Sequence, residues 1–546
     1  MAGTRNRRSD HSTLTAALCC GTTWTAQIKA VRVAPDQTIY PRDPPVTGNS
    51  HSTASVGTTD TAPRLARNYI GGRFTDAGTP FPNLSPVDGH LVGEVLAADT
   101  SMVDAAVTAA QAALAGDWGA MAPAVRLRLL RAVADGIEQR FDDFVAAEMA
   151  DTGKSLTQAR SIDIPRGAAN FRAFAELAQA RAGECFHTHT ADGQRALNYT
   201  VHRPLGVVAV ISPWNLPLLL LTWKVAPALA TGNAVIAKPS EETPSTATLL
   251  AEVIDRVGFP PGAFNLLHGG GPGATGEFLC THPGIAGVSF TGESRTGSAI
   301  MKSASPTLKK LCFELGGKNA ALVFADADLE AAAAGVARSS FTNGGQVCMC
   351  TERVYVERSV FEAFVERVAA HARALRLGWP AEADTDMGPM ISTAHRDKVL
   401  GCYEQARADG AVFACGGGVP RFGDARDDGA WVEPTVITGL PQHAQALREE
   451  IFGPICHIAP FDTEDEAVAL ANDSDFGLAG VVWTNNLSRA HRVAERIQAG
   501  MVWVNCWYLR DLRTPFGGVK LSGFGREGGM HSLDFFAEPS TICIKL

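Results

Sequence analysis

At 546 residues the chain exceeds the roughly 250 to 300 that one hydrophobic core serves, so at least two domains are expected. With 46% hydrophobic and 19% charged residues, neither global disorder nor a collagen-like repeat fits. A formal net charge of −9 without a Lys/Arg block lacks the footprint of phosphate-backbone binding, so nucleic acid is not an expected partner.

Residues 1–66 hold 22 Ser, Thr or Pro and no sustained apolar periodicity, which predicts a disordered extension. A targeting peptide, suggested by Arg5, Arg7 and Arg8, and a mis-assigned start codon are alternative readings. From Asn68 the pattern becomes regular. Val103, Val107, Ala110 and Leu114 mark one amphipathic helix, and Leu127, Leu130, Ala134, Ile137, Phe141 and Val145 a longer one. The apolar runs Val207–Ile211, Ala234–Ala237, Phe264–Leu267 and Val288–Phe290 are spaced by helical segments, the pattern of a parallel sheet covered on both faces. A second series starts near Ala320 and includes Arg353–Val356 and a helix over Val360–Leu375. Two α/β domains follow.

Pro204–Trp223 runs 20 residues without a charge, the length of a membrane span. Pro213, Asn215 and Pro217 argue instead for a buried strand, a turn and a buried helix, so no membrane is expected. The 12 cysteines form no CxxC pair in a chain able to build a full core, so a reducing, cytoplasmic setting fits better than a disulfide scaffold. No metal site is expected. Gly271, Gly273 and Gly276 formally satisfy G-x-G-x-x-G, but Pro272 removes an amide that a phosphate cradle would use, and the motif carries little weight.

Two Gly-Gly pairs stand beside residues able to do chemistry: FTNGGQVCM (Phe341–Met349) with Cys348, and FELGGKN (Phe313–Asn319) with Glu314. Alone, a cysteine or glutamate says little, since inert buried thiols are common. Taken with SPWNLP (Ser212–Pro217), KPSEETP (Lys238–Pro244), FTGESRTG (Phe290–Gly297), EEIFGP (Glu449–Pro454) and PFGGVKLSGFGREGG (Pro515–Gly529), the chain resembles the aldehyde dehydrogenase superfamily from about Asn68 to its C-terminus.

That resemblance implies a Rossmann-like coenzyme-binding domain (67–184 and 203–315), an α/β catalytic domain (316–531) and a small β oligomerisation hairpin (185–202 and 532–546), in a homodimer or homotetramer. It implies Cys348 as nucleophile, Asn215 and the Cys348 backbone N–H as oxyanion donors, Glu314 as the base that hydrolyses the thioester, and Lys224 as a supporting proton-relay lysine. A surface lysine is the alternative for Lys224. NAD is the implied cofactor, with Lys238 and Glu241 on the adenosine ribose, Glu450 on the nicotinamide ribose, and Trp214, Gly292 and Phe452 nearby. A carboxylate at Glu241 would repel the 2′-phosphate of NADP. The chain departs from many members in carrying Glu293 after the FTG glycine, an acidic group near the pyrophosphate path. Cys350 reads as a small buried hydrophobe rather than a redox partner.

Within the superfamily, SIDIPRGAANFR (Ser161–Arg172), NYTVHRPLGVV (Asn198–Val208) and NCWYLRDLRTPFGG (Asn505–Gly518) are similar to the 2-hydroxymuconic and 2-aminomuconic semialdehyde dehydrogenases. There the matching arginines, here Arg166 and Arg510, hold a distal substrate carboxylate, which the planar guanidinium fork suits. Simple ion pairs of Arg166 with Asp163 and of Arg510 with Asp511 are the bland alternatives. Other readings are a dehydrogenase for another carboxylated aldehyde such as succinic semialdehyde, a CoA-acylating relative, against which Glu314 argues, and a non-catalytic structural member.

Overall fold

The computed structural model describes residues 64–546, so the extension expected over 1–66 lies outside the described residues except for its end. Arg64–Ala66 is a strand, paired in parallel with Leu91–Ala97, so regular structure begins three residues earlier than Ser/Thr/Pro content suggested.

The first large sheet has eight strands in the order Gly523–Phe524, Lys310–Glu314, Gly287–Thr291, Val207–Ile211, Ala234–Lys238, Phe264–Leu266, Asn68–Ile70, Arg73–Thr75. Its five central strands are parallel and nearly all buried, as both-faced apolar runs require. The chain enters at Val207–Ile211, winds outward to Phe264–Leu266, then returns to the other side at Gly287–Thr291, which makes a topological switch between Val207–Ile211 and Gly287–Thr291. The apolar segment after Pro204 is the predicted strand, turn and helix, the last being Pro217–Ala230. Among the described residues no helix is long and apolar enough to cross a membrane.

The second sheet has seven strands, Val412–Cys415, Thr435–Thr438, Ile455–Phe461, Thr351–Glu357, Asn319–Val323, Ala479–Trp483 and Met501–Val504, all parallel except the first. Leu315–Lys318 joins the carboxyl end of Lys310–Glu314 to the amino end of Asn319–Val323. The C-terminal edge of one sheet therefore meets the N-terminal edge of the other at this link, and the site is built there.

Three boundaries differ from expectation. The long helix breaks at Arg140 (φ −109°, ψ 27°) into Pro123–Gln139 and Phe141–Thr152; no Pro or Gly marks the break, but Asp142 and Asp143 open the new helix, where its dipole favours them. Gly523–Phe524 pairs with the first sheet although it lies within 316–531, because Phe524 packs on Phe313 with ring centroids 5.0 Å apart. The C-terminal strand spans Ala537–Lys545 and not 532–546, since Leu533 and Phe536 are buried in the core of the first sheet's helices. That strand pairs with Arg195–Pro204, which pairs with Cys185–His189, giving a three-stranded antiparallel sheet with mostly exposed side chains.

Candidate active site

Four of the expected residues stand at or just beyond the carboxyl ends of parallel strands of the first sheet: Lys238, Asn215, Gly292 and Glu314. Ligands of such sheets bind at those ends, beside the switch point. At the switch, the Ser212 and Thr291 hydroxyls are buried with no hydrogen-bond partner.

Cys348 comes from the second sheet, in the loop ahead of Thr351–Glu357. The loop turns through three left-handed residues, Asn343, Gly344 and Gly345. A Cβ on Gly345 would stand 2.0 Å from the Gly453 oxygen, so only glycine lets this loop press against the Glu449–Pro454 segment. The Asn215 amide donates to Gln346 O at 2.9 Å, which ties it to the nucleophile loop with one of its two N–H groups; its Oδ1 accepts nothing. Cys348 is half-buried. Burial, then the Glu450 and Glu314 charges, push its thiol up to about 12, while its own backbone N–H favours the thiolate.

Glu314 is buried and neither carboxyl oxygen has a hydrogen-bond partner. Burial, reinforced by Glu527, drives its pKa far above the usual carboxylate range, against the pull of Lys224, Arg510 and Arg526. Lys224 is fully buried and ion-paired to Glu527, which also accepts from the Ser289 hydroxyl at 3.2 Å; the surface alternative for this lysine does not hold.

Glu450 accepts from the Gly317 N–H at 2.7 Å, and a Cβ on Gly316 would lie 2.2 Å from its carboxylate, so the second Gly-Gly pair admits a side chain. Burial and the Glu352 charge raise Glu450 to about 8. Glu352, ion-paired to buried Lys318, accepts from the backbone N–H groups of Ile451 and Phe452 and so fixes the segment. Phe452 (φ 60°) and His395 both meet the Trp214 ring edge-on at 5.3 Å. Lys238 is buried and donates to Pro239 O at 2.9 Å, with Glu241 at 3.5 Å. Glu293 is answered by Arg295 at 3.1 Å, which offsets the acidic group.

Arg166 and Arg510 share Trp223, their guanidinium carbons 5.8 and 4.5 Å from its ring centroid; Arg510 also stands 4.0 Å from Phe516. Asp511 is ion-paired to Arg513, and Asp163 to Lys154. The buried Nε and Nη2 of Arg510 have no hydrogen-bond partner among the described residues. Burial and the neighbouring Arg166 charge lower Arg510 to about 10. Tyr508 (φ 68°) stands in the field of Arg166, Arg510 and Cys348, and burial raises its hydroxyl. Cys350 is buried, its thiol 3.9 Å from Thr342 O, as a small hydrophobe would be.

The aldehyde dehydrogenase family model matches residues 74–542. The chain belongs to the aldehyde dehydrogenase family. It is 57% identical over 480 residues to the 2-aminomuconic 6-semialdehyde dehydrogenase of a Pseudomonas species, covering 88% of this chain and 98% of that one. To the 2-hydroxymuconic semialdehyde dehydrogenase of Pseudomonas sp. strain CF600 it is 54% identical, covering 88% and 99%. A crystal structure of Staphylococcus aureus betaine aldehyde dehydrogenase with NAD+ superposes with a TM-score of 0.84 at 36% identity, covering 88% and 94%. For an aldehyde dehydrogenase the residues missed from sequence, Glu527, Glu352, Lys318 and Lys154, are the buried partners. Glu527 lies inside a quoted motif, but its role depends on Lys224, 303 residues away.

Proposed function

We propose that this aldehyde dehydrogenase oxidises a muconic semialdehyde, 2-hydroxy or 2-amino, to the dicarboxylate with NAD. The observation that carries the substrate is the arginine pair on Trp223. Arg510 stands on the same ring as Arg166 and keeps its buried Nε and Nη2 donors without a protein partner among the described residues; a substrate carboxylate there would satisfy those donors. The named relatives act on aldehydes of this type.

Cys348 Sγ adds to the aldehyde carbon, and its proton leaves to water. The free N–H of the Asn215 amide and the Cys348 backbone N–H receive the oxyanion. NAD, when bound, supplies the hydride acceptor. Lys238 and Glu241 would hold its adenosine ribose, Glu450 its nicotinamide ribose, and the unpaired Ser212 and Thr291 hydroxyls at the switch fit a polar ligand there. Glu314 then takes a proton from water, which attacks the Cys348 thioester and releases the acid. Lys224 and Glu527 stand behind Glu314 to pass that proton on. The protein would work in the cytoplasm as a dimer or tetramer, the outer edge of Ala537–Lys545 being a pairing template that a second copy covers. Mixing the protein with NAD and 2-hydroxymuconic semialdehyde should produce NADH absorbance and the dicarboxylate; no NADH from any carboxylated aldehyde would overturn the reading.

A further inference from the structure

Three pieces of the site arrive from separate segments: the Asn215 turn, the start of helix Pro217–Ala230, and the π-helical turn Ala159–Asp163 that leads into Ile164–Gln179, with Arg166 in its first turn. One ammonium group touches the first and the last, and reaches the helix start through Glu148. Lys154, with no side-chain exposure, donates to Asn215 O at 3.2 Å, to Asp163 Oδ2 at 2.6 Å and to Glu148 Oε1 at 2.9 Å. The other Glu148 oxygen accepts from Leu218 N at 3.4 Å, in the first turn of the helix that carries Trp223 and Lys224.

Stability alone does not account for this cluster. Two fully buried carboxylates share one cation, and a buried ion cluster is commonly no more stable than apolar residues of the same volume. Burial, with the charge of Asp163, holds Glu148 up at about 7 even beside Lys154. A π turn is a rare distortion that concentrates at functional sites, and here it delivers Asp163 to the ammonium while setting the rotational phase of the helix that bears Arg166.

We propose that Lys154 is a positioning residue that couples the Asn215 oxyanion donor to the Arg166 grip, so that seating the distal carboxylate and aligning the Asn215 amide are one mechanical event. The Arg166 half rests on the carboxylate reading above; the Asn215 half does not. Asn343 Nδ2 also donates to Asn215 O at 3.1 Å, and the Asn215 amide keeps its bond to Gln346 O, so the expected effect of losing Lys154 is partial.

Single-turnover NADH formation and KM are measured with 2-hydroxymuconic semialdehyde and with hexanal, for Lys154→Met, Asp163→Asn, Asn215→Ala and the double variant Lys154→Met/Asn215→Ala. Lys154→Met should slow the NADH burst about 10- to 100-fold on both aldehydes, the scale of a small misplacement of a catalytic donor. In the Asn215→Ala background it should slow the burst no further, because the group it acts through is gone. Asp163→Asn leaves the bond from Lys154 to Asn215, so it should raise KM about tenfold more for the carboxylated aldehyde than for hexanal. Multiplicative losses in the double variant overturn the proposal, as does an unchanged burst in Lys154→Met. If Lys154→Met does not fold, Asp163→Asn decides, and equal effects on the two aldehydes overturn it. If Arg166→Ala itself shows no preference between aldehydes, the substrate reading fails, and the coupling is judged on hexanal alone by the double variant.

Discussion

At the reacting end of the site the main chain does the holding. Cys348 sits on a loop of left-handed residues, Asn215 is pinned to Gln346 O, and Glu450 is pinned to Gly317 N. At the end proposed to take the substrate carboxylate, by contrast, aromatic faces line the arginines, with Arg166 and Arg510 over Trp223 and Arg510 also over Phe516. Backbone anchoring resists substitution and keeps a reaction constant, whereas side chains on rings can be exchanged without disturbing the fold. On the proposed function, the difference teaches that the chemistry is held by the scaffold and the choice of aldehyde by side chains on rings.

Changes at the reacting end should therefore damage turnover of every aldehyde alike. Cys348→Ala should abolish it, a loss of about 10⁴-fold or more, while NAD binding measured by titration persists. Ordinary turnover by that variant would remove the nucleophile. Glu314→Ala should leave a full single-turnover burst of NADH and lower the steady state about 10²- to 10⁴-fold, as expected for loss of a general base. A slowed burst would place Glu314 in the earlier step.

A smaller effect sharpens the same comparison. Because burial, then the Glu527 charge, raises Glu314, it becomes a competent base at a higher pH than an ordinary carboxylate, as pH rises through its elevated pKa. Thioester hydrolysis, followed after a burst, should keep accelerating with pH over the interval above the usual carboxylate range, in proportion to the added ionised fraction. An ordinary carboxylate would be flat over that interval, and a flat profile would show that Glu314 is ionised in the working enzyme.

The sequence reading reached four of the first sheet's five central parallel strands, Val207–Ile211, Ala234–Lys238, Phe264–Leu266 and Gly287–Thr291, because both-faced burial leaves a local signature, and its Gly-Gly turns drew attention to Cys348 and Glu314. It missed Thr435–Thr438, Ile455–Phe461, Ala479–Trp483 and Met501–Val504, short strands whose runs are interrupted by polar residues such as His457 or joined by long loops. It read one helix where Arg140 separates two, since apolar spacing continues across the break. Lys224 was ambiguous in sequence because burial of a lysine depends on its partner, and Glu527 arrives from the far end of the chain. Lys154 gave no signal at all: its bond to Asn215 spans 61 residues, and the π turn that brings Asp163 to it leaves no mark in the residue pattern.

The most direct test is the ratio of kcat/KM for 2-hydroxymuconic semialdehyde to that for hexanal, in the unmodified enzyme, Arg166→Ala and Arg510→Ala. A charge-assisted hydrogen bond contributes about 1.5 to 3 kcal/mol, so each variant should lower the ratio by about one to two decades. The double variant should fall short of the product, since both groups share one carboxylate. An unchanged ratio, with both aldehydes losing equally, would make the arginines structural and would contradict a site built for a distal carboxylate.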